Sequence, residues 1–146
     1  MKTGFDDLDS IMQINKGDLI IVASRPAMGK STLALNILSN VAIKEKKPVL
    51  MFNLESSKEN IINKLIISNS MVEADKFEIY DKYQKGKIMK PELIDDDWDR
   101  IFYGLNILKD APIFIDTTAP YTIEDICKKS RELKLKENIE LISNDD

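Results

Sequence analysis

Histidine is missing from this sequence altogether. That excludes a histidine metal site and a histidine general base. Cysteine occurs once, at Cys127, so no disulfide can form within the chain, and such usage suits a reducing cytosol. No apolar run is long enough to span a bilayer, and the N-terminus has no secretory h-region. A basic excess is also lacking: 21 Lys and Arg face 25 Asp and Glu, for a formal net charge of −4. The chain therefore has no overall positive field to hold nucleic acid. Repeats and low-complexity linkers are absent too. What is there, 146 residues of which 43% are hydrophobic, suffices for one globular domain with a real core.

One stretch organises the rest. The apolar run 19–23 leads into Ser24-Arg25-Pro26-Ala27-Met28-Gly29-Lys30-Ser31-Thr32. After it, Leu33, Ala34, Ile37, Leu38, Val41 and Ala42 recur at helical spacing. This order predicts strand, phosphate loop, helix. Successive backbone N–H groups then point at oxyanions from the positive end of a helix. Gly29 lets the backbone close on the phosphates, Lys30 can bridge the β- and γ-phosphates, and the Ser31 hydroxyl can bind Mg²⁺. The general pattern is G-x-x-x-x-G-K-[ST], and Ser24 stands at its first position in place of glycine. The bland alternative is a strand-turn-helix corner with an exposed lysine.

Turn residues dominate 1–18, with a short helical turn expected over 7–12 and a tight turn at Asn15-Lys16-Gly17. Phe5, Leu8 and Ile11 are expected on the core. The loop helix should end before Pro48. Residues 49–54 are nearly all apolar, as in a parallel strand covered on both faces. Ser56 and Glu59 form a capping-box pattern ahead of a helix bearing Ile61, Ile62, Leu65 and Ile66. A helix is expected over 76–83, with Gly86 and Pro91 in the loop after it. Asp95, Asp96 and Asp97 favour the start of a helix carrying Trp98, Ile101, Phe102, Leu105 and Leu108. A strand over 113–116 follows, then a helix capped at Tyr121-Thr122 with Ile123, Ile126, Cys127 and Leu133 inward. The last segment begins like a buried strand at Ile139 and turns polar at Ser143. Strands alternating with helices predict an α/β fold with a mainly parallel sheet.

Hydrolysis needs more than a phosphate loop: a group that orients water and an acidic group near the metal. Glu55 ends the second apolar strand, where open parallel sheets place their ligands. It either faces a γ-phosphate or decorates a helix N-terminus, and position alone does not separate the two. Asp116 also ends a strand, and a turn aspartate beside Thr117 and Thr118 is the plainer account. The basic stretch 128–136 is interrupted by Glu132 and reads as a solvated helix face.

Several motifs occur in one order: Thr3-Gly4-Phe5-Asp6-Asp7-Leu8-Asp9, Arg25-Pro26-Ala27-Met28-Gly29-Lys30-Ser31, Phe52-Asn53-Leu54-Glu55, Asp97-Trp98 and Pro112-Ile113-Phe114-Ile115-Asp116. Together they resemble the C-terminal motor domain of the bacterial replicative DNA helicase, the DnaB family, a RecA-like P-loop NTPase. The resemblance covers nearly the whole chain. It accounts for Ser24, since a small residue other than glycine is usual there. It implies ATP and Mg²⁺ as ligands, nucleotide contacts from Ser24 through Thr32, and Glu55 as the catalytic glutamate. It also implies that Asp145 falls at the Mg²⁺-side aspartate.

The departures lie toward the end. In the family an apolar strand leads into that aspartate, whereas here Ser143 and Asn144 precede Asp145. Polar side chains in a central parallel strand cost free energy unless paired. The family's DNA loops and arginine finger fall beyond this point, so the expected fold is RecA-like and incomplete at the C-terminus. Two functions follow as expectations. One is an ATP-binding portion of a helicase motor that hydrolyses poorly or not at all and does not unwind DNA alone, with DNA a partner of the full-length family. The other is a non-catalytic partner that docks on intact helicase subunits or a loader.

Overall fold

The computed structural model describes residues 1–87, 93–118 and 122–145. The chain divides into two compact units, Met1–Lys58 with Ala111–Asp146, and Glu59–Asp110.

The first unit holds a three-stranded parallel sheet of order β2-β1-β3, built from β1 (Val49–Asn53), β2 (Ile113–Asp116) and β3 (Leu141–Asp145). All five residues of β1 are buried, as its apolar run demands of a central parallel strand. Leu50 and Phe52, two residues apart, share a face and join Ile139, Phe114, Ile126 and Leu133 in one core cluster. Ile126 and Leu133 come from α6 (Ile123–Glu137). Helix α2 (Lys30–Lys44) packs on all three strands and buries Leu35, Leu38, Val41 and Ala42, spaced three or four apart. It ends at Glu45; Lys46 takes a left-handed φ of 54° and Pro48 cannot extend the helix. Lys47 beside Glu45 holds that carboxyl below the usual carboxylate range, against burial, and the Lys2 N–H adds to the effect.

The N-terminal segment is braced within itself by Asp9 and tied to α2 at Asn40 and, through Lys2 N, at Glu45. Asp9, in α1 (Asp6–Ile11), accepts from Thr3 N at 2.7 Å, Thr3 Oγ1 at 2.7 Å and Gly4 N at 3.1 Å. Gly4, at φ 82°, passes so close to α2 that a Cβ there would lie 2.5 Å from the Asn40 amide. Asn40 in turn donates to Thr3 O at 3.0 Å.

The second unit contains α4 (Ala74–Gln84), α5 (Asp95–Lys109) and nearly all of α3 (Lys58–Ser70). Ile66, Val72, Phe77 and Ile101 form its core. Asp97 is buried, pairs with Lys76 at 3.1 Å and accepts from Ile94 N at 3.4 Å at the start of α5. Trp98 meets Tyr80 and Tyr83 edge-on and stacks with Phe102.

Several expectations need correction. Residues 19–23 form no strand: Leu19 and Ile21 are 87% and 80% exposed, and no ladder partner pairs with them among the described residues. Apolarity alone does not make a strand; neighbours must supply hydrogen bonds and cover. Ile11 and Ile123 are exposed, not inward, and Ile14 takes the buried place near the N-terminus. Cys127 is exposed as well. A period-3.6 reading does not fix how wide the covered stripe is; in α6 it is limited to Ile126 and Leu133 against Leu50, Phe52 and Phe114. In the other direction, Ser143 and Asn144 do not break β3, which pairs with β1 through Asp145. Thr122 caps α6 by accepting from Asp125 N at 3.2 Å, while Tyr121 and Pro91 lie outside the described residues.

Candidate functional site

The loop before α2 owes its course to two left-handed residues. Met28 N donates to Arg25 O at 3.3 Å, closing a turn across Pro26 and Ala27. Ala27 has φ 62° and Gly29, the N-cap, has φ 84°. Proline suits the second position of such a turn and a positive φ is needed at the third. Gly29 has open space around it, so its role here is conformational. It also has no side chain to cap α2. Helix N-termini in this state present N–H groups and a positive dipole end to anions. Ser24 Oγ donates to Arg25 O at 3.1 Å, and residues 24–29 are all exposed.

Lys30 opens α2, with Ser31 and Thr32 after it in the first turn. Its Nζ lies 3.3 Å from Asp145 Oδ1, the last residue of β3. The Lys30 side chain is 35% exposed and that of Asp145 only 4%. A buried carboxylate costs several kcal/mol unless paired. Lys30 offsets that cost on one oxygen. On the other, Asn53 Nδ2 donates to Asp145 Oδ2 at 3.1 Å. Asn53 is itself buried and ends β1, in register with Asp145. Its Oδ1 accepts from Glu55 N at 3.1 Å and from Ser56 N at 2.6 Å. Leu54 N donates to Asp145 O at 3.4 Å.

Glu55 thus sits on a turn just past β1, with its backbone fixed and its side chain exposed. Because β1 and β3 are parallel and in register, Glu55 and Asp145 share the C-terminal edge of the sheet. The sequence-predicted residues Lys30 and Asp145 are brought into contact there. Asp116 is not part of this cluster. It accepts from Thr118 N at 3.0 Å and Thr118 Oγ1 at 2.6 Å, and it pairs with Lys129 of α6. Those contacts are those of a turn aspartate. Asn53 escaped the sequence reading; its signal was a single amide closing an otherwise apolar strand.

No group of three or more His, Cys, Asp or Glu able to hold a metal exists among the described residues. One carboxylate and one hydroxyl still suit Mg²⁺, which is commonly bound by one or two carboxylates together with substrate phosphates. Asp145 and Ser31 are hard oxygen donors of that kind.

A family model, "DnaB-like helicase C terminal domain", matches residues 1–145. The chain belongs to this family. The replicative DNA helicase DnaB of Buchnera aphidicola subsp. Baizongia pistaciae is 36% identical over 140 residues. That match covers 94% of this chain and 28% of the Buchnera protein, so the chain spans well under a third of that relative's length. A solved DnaB-like replicative helicase, studied with its interactions with primase, superposes with a TM-score of 0.67 at 25% identity, over 83% of this chain and 28% of that one. A second solved structure, an ATPase domain, gives a TM-score of 0.68 at 24% identity, over 83% of this chain and 40% of that one. The fold is accordingly that of DnaB-like ATPase domains, a small parallel sheet flanked by helices. No described helix is long and apolar enough to cross a membrane.

Proposed function

We propose that this DnaB-like chain binds Mg·ATP and Mg·ADP at the start of α2, and that it is one portion of a replicative helicase motor. The loop 24–29 and the first turn of α2 hold the phosphates, with Lys30 as the phosphate cation. Ser31 and Asp145 face the metal, and Glu55 is the residue that orients water. The observation carrying this reading is the Lys30–Asp145 contact of 3.3 Å at the sheet edge beside Glu55. A nucleotide arriving there gives Lys30 its phosphate oxygens and leaves Asp145 for the cation.

Binding is tested by calorimetric titration of Mg·ADP into wild type and Lys30→Ala. Removing a charge-assisted contact should cost about 1.5–3 kcal/mol. Equal affinity in the two proteins, or no binding by either, refutes the site. Hydrolysis by the chain alone is expected to be very slow, because phosphoryl transfer needs charge neutralisation that a second subunit's arginine commonly supplies, worth about 10³–10⁵ in rate. A turnover near one per second that is lost in Glu55→Gln would show instead that the site is complete by itself. With a net charge of −4 the chain has no overall positive field to hold DNA, and no unwinding by the chain alone is expected. Processive unwinding of a forked duplex by it would refute this.

The exposure of Leu19, Ile20, Ile21 and Val22 favours a second role alongside this one. Contiguous exposed apolar residues mark interaction sites. The partner chemistry that fits the reading is an intact helicase subunit or its loader. A change in unwinding by an intact DnaB-type helicase on adding this chain, abolished by Ile21→Lys, tests it.

A further inference from the structure

Asn53 does more than end a strand. Its amide has one acceptor oxygen and one donor nitrogen, and the two face different clients. The oxygen takes the backbone N–H groups of Glu55 and Ser56, at 3.1 and 2.6 Å. Two N–H donors can only be met by an acceptor, so the amide orientation is fixed by its surroundings. That orientation sends Nδ2 to Asp145 Oδ2 at 3.1 Å, inside a buried setting. Asp145 is then gripped on one oxygen by Asn53 and left with its other oxygen toward Lys30, at 3.3 Å. From this geometry we infer that Asn53 is a positioning residue. It fixes the rotation of the Asp145 carboxylate and locks it to the backbone of the turn that carries Glu55. The inference deepens the Mg·nucleotide reading and rests on it for the role of Asp145. The link between the two carboxylate-bearing segments stands on the hydrogen bonds alone.

An aspartate or serine at 53 would not do the same work. Aspartate has no donor for Asp145 and sets two carboxylates face to face. Serine is too short to serve the turn and Asp145 together. Hydrogen-bond partners that orient a metal-side carboxylate typically change metal affinity by about 10- to 100-fold when removed.

Two measurements test this, on the chain as it stands. The first needs no ligand. In amide NMR spectra, Asp145→Asn should shift the Glu55 and Ser56 resonances in the wild-type background and leave them unmoved when Asn53→Ala is also present. Asn53→Ser, with a smaller loss of packing, serves where the alanine variant does not fold. Shifts of equal size in all backgrounds, or none in wild type, overturn the link. The second measurement is ADP affinity by calorimetry, with EDTA and with Mg²⁺. Asn53→Ala should keep the metal-free affinity within about twofold and lose about tenfold of the gain that Mg²⁺ confers. A variant that merely loosened the fold would lose both together, and that outcome, like an unchanged Mg²⁺ gain, overturns the positioning role. If wild type binds no ADP while the NMR link holds, it is the nucleotide reading that fails, and Asn53 remains the tie between the two segments.

Discussion

Two segments lead toward the same site, and they reverse their apparent merits. Residues 19–23 are uninterrupted apolar chain and approach Lys30 from the N-terminal side. They stand in water, with Leu19 at 87% exposure. Strand β3 carries Ser143 and Asn144 and delivers Asp145, yet it is paired along its length with β1. The difference lies in partners. Leu141 opposes Val49, and Glu140 N donates to Pro48 O at 2.8 Å, so the backbone of β3 has a ladder waiting. Its polar side chains alternate with the pleat: Asn144 is exposed and Ser143 half-buried. A buried ladder tolerates a polar side chain on an open face. An apolar run without a ladder gains nothing from its composition.

The comparison breaks most sharply under side-chain truncation. Phe52→Ala removes a fully buried ring from the β1 cluster and should destabilise the unit by about 3–5 kcal/mol. Ile21→Ala, at a residue 80% exposed, should change stability by less than about 0.5 kcal/mol. Denaturant melts of both variants decide it. A loss above about 1.5 kcal/mol for Ile21→Ala would mean that the segment buries its side chains in solution, against the exposure described above.

A backbone version of the same contrast follows. Glu140 N points at β1, and steps of two bring Ile142 to the same side. Ile142→Pro removes a donor there and should cost about 3 kcal/mol, whereas Ile21→Pro should cost little, since it interrupts no ladder. Thermal unfolding of the pair separates them. Equal costs would show that residues 19–23 are strand-paired.

Which parts were legible follows from the same physics. The order of elements, the parallel sheet and the bounds of α2 could be read because long periodic patterns and Pro48 act locally. Lys30 stood out by its motif and Asp145 by the family resemblance, and the fold brings the two side chains within 3.3 Å. Asn53 was not, because a hydrogen-bond bridge between two parallel strands leaves no periodic trace. The exposure of Ile123 and Cys127 was also missed, because only the tertiary contact of Ile126 and Leu133 with Leu50, Phe52 and Phe114 fixes which stripe of α6 is covered. The strand expected at 19–23 failed for want of a partner, which composition cannot report.

Acid should separate the anchored N-terminus from the sheet. Chiefly the Thr3 backbone N–H, and then its hydroxyl, hold the Asp9 carboxyl below the ordinary aspartate range, against a desolvation that raises it. A folded pKa below the unfolded one adds stability above the unfolded value, and the gain is lost as pH falls through the folded one. Residues 1–10 should therefore loosen at the acid end of a titration while residues 19–23, which have no such tie, show no matching transition. Amide exchange along both segments checks it. Asp9→Asn should weaken the pH dependence, and Asp9→Asn with Glu45→Gln should remove it, because the Glu45 carboxyl that accepts from Lys2 N is also held below its ordinary range. Persistence in the double variant would assign the transition to another group.

The smallest expected effect sits where the exposed segment hands over to α2. Ala27 holds φ 62°, a conformation that costs an L-residue about 1–2 kcal/mol. Glycine removes that cost and adds back about 0.4–1 kcal/mol through the freer unfolded chain. Ala27→Gly should thus stabilise by about 0.5 kcal/mol, the difference of the two terms. For a chain of this size that is a rise of about 1–2 °C in melting temperature. The turn closed by Met28 N and Arg25 O survives, since its third position prefers glycine. Nucleotide affinity should move the other way, and slightly, because a freer loop must be ordered on binding. A variant that melts lower than wild type would mean that alanine at this position is not strained. The left-handed turn would then be made only when phosphate arrives, and the loop would belong with residues 19–23, shaped by its partner, and not with α2.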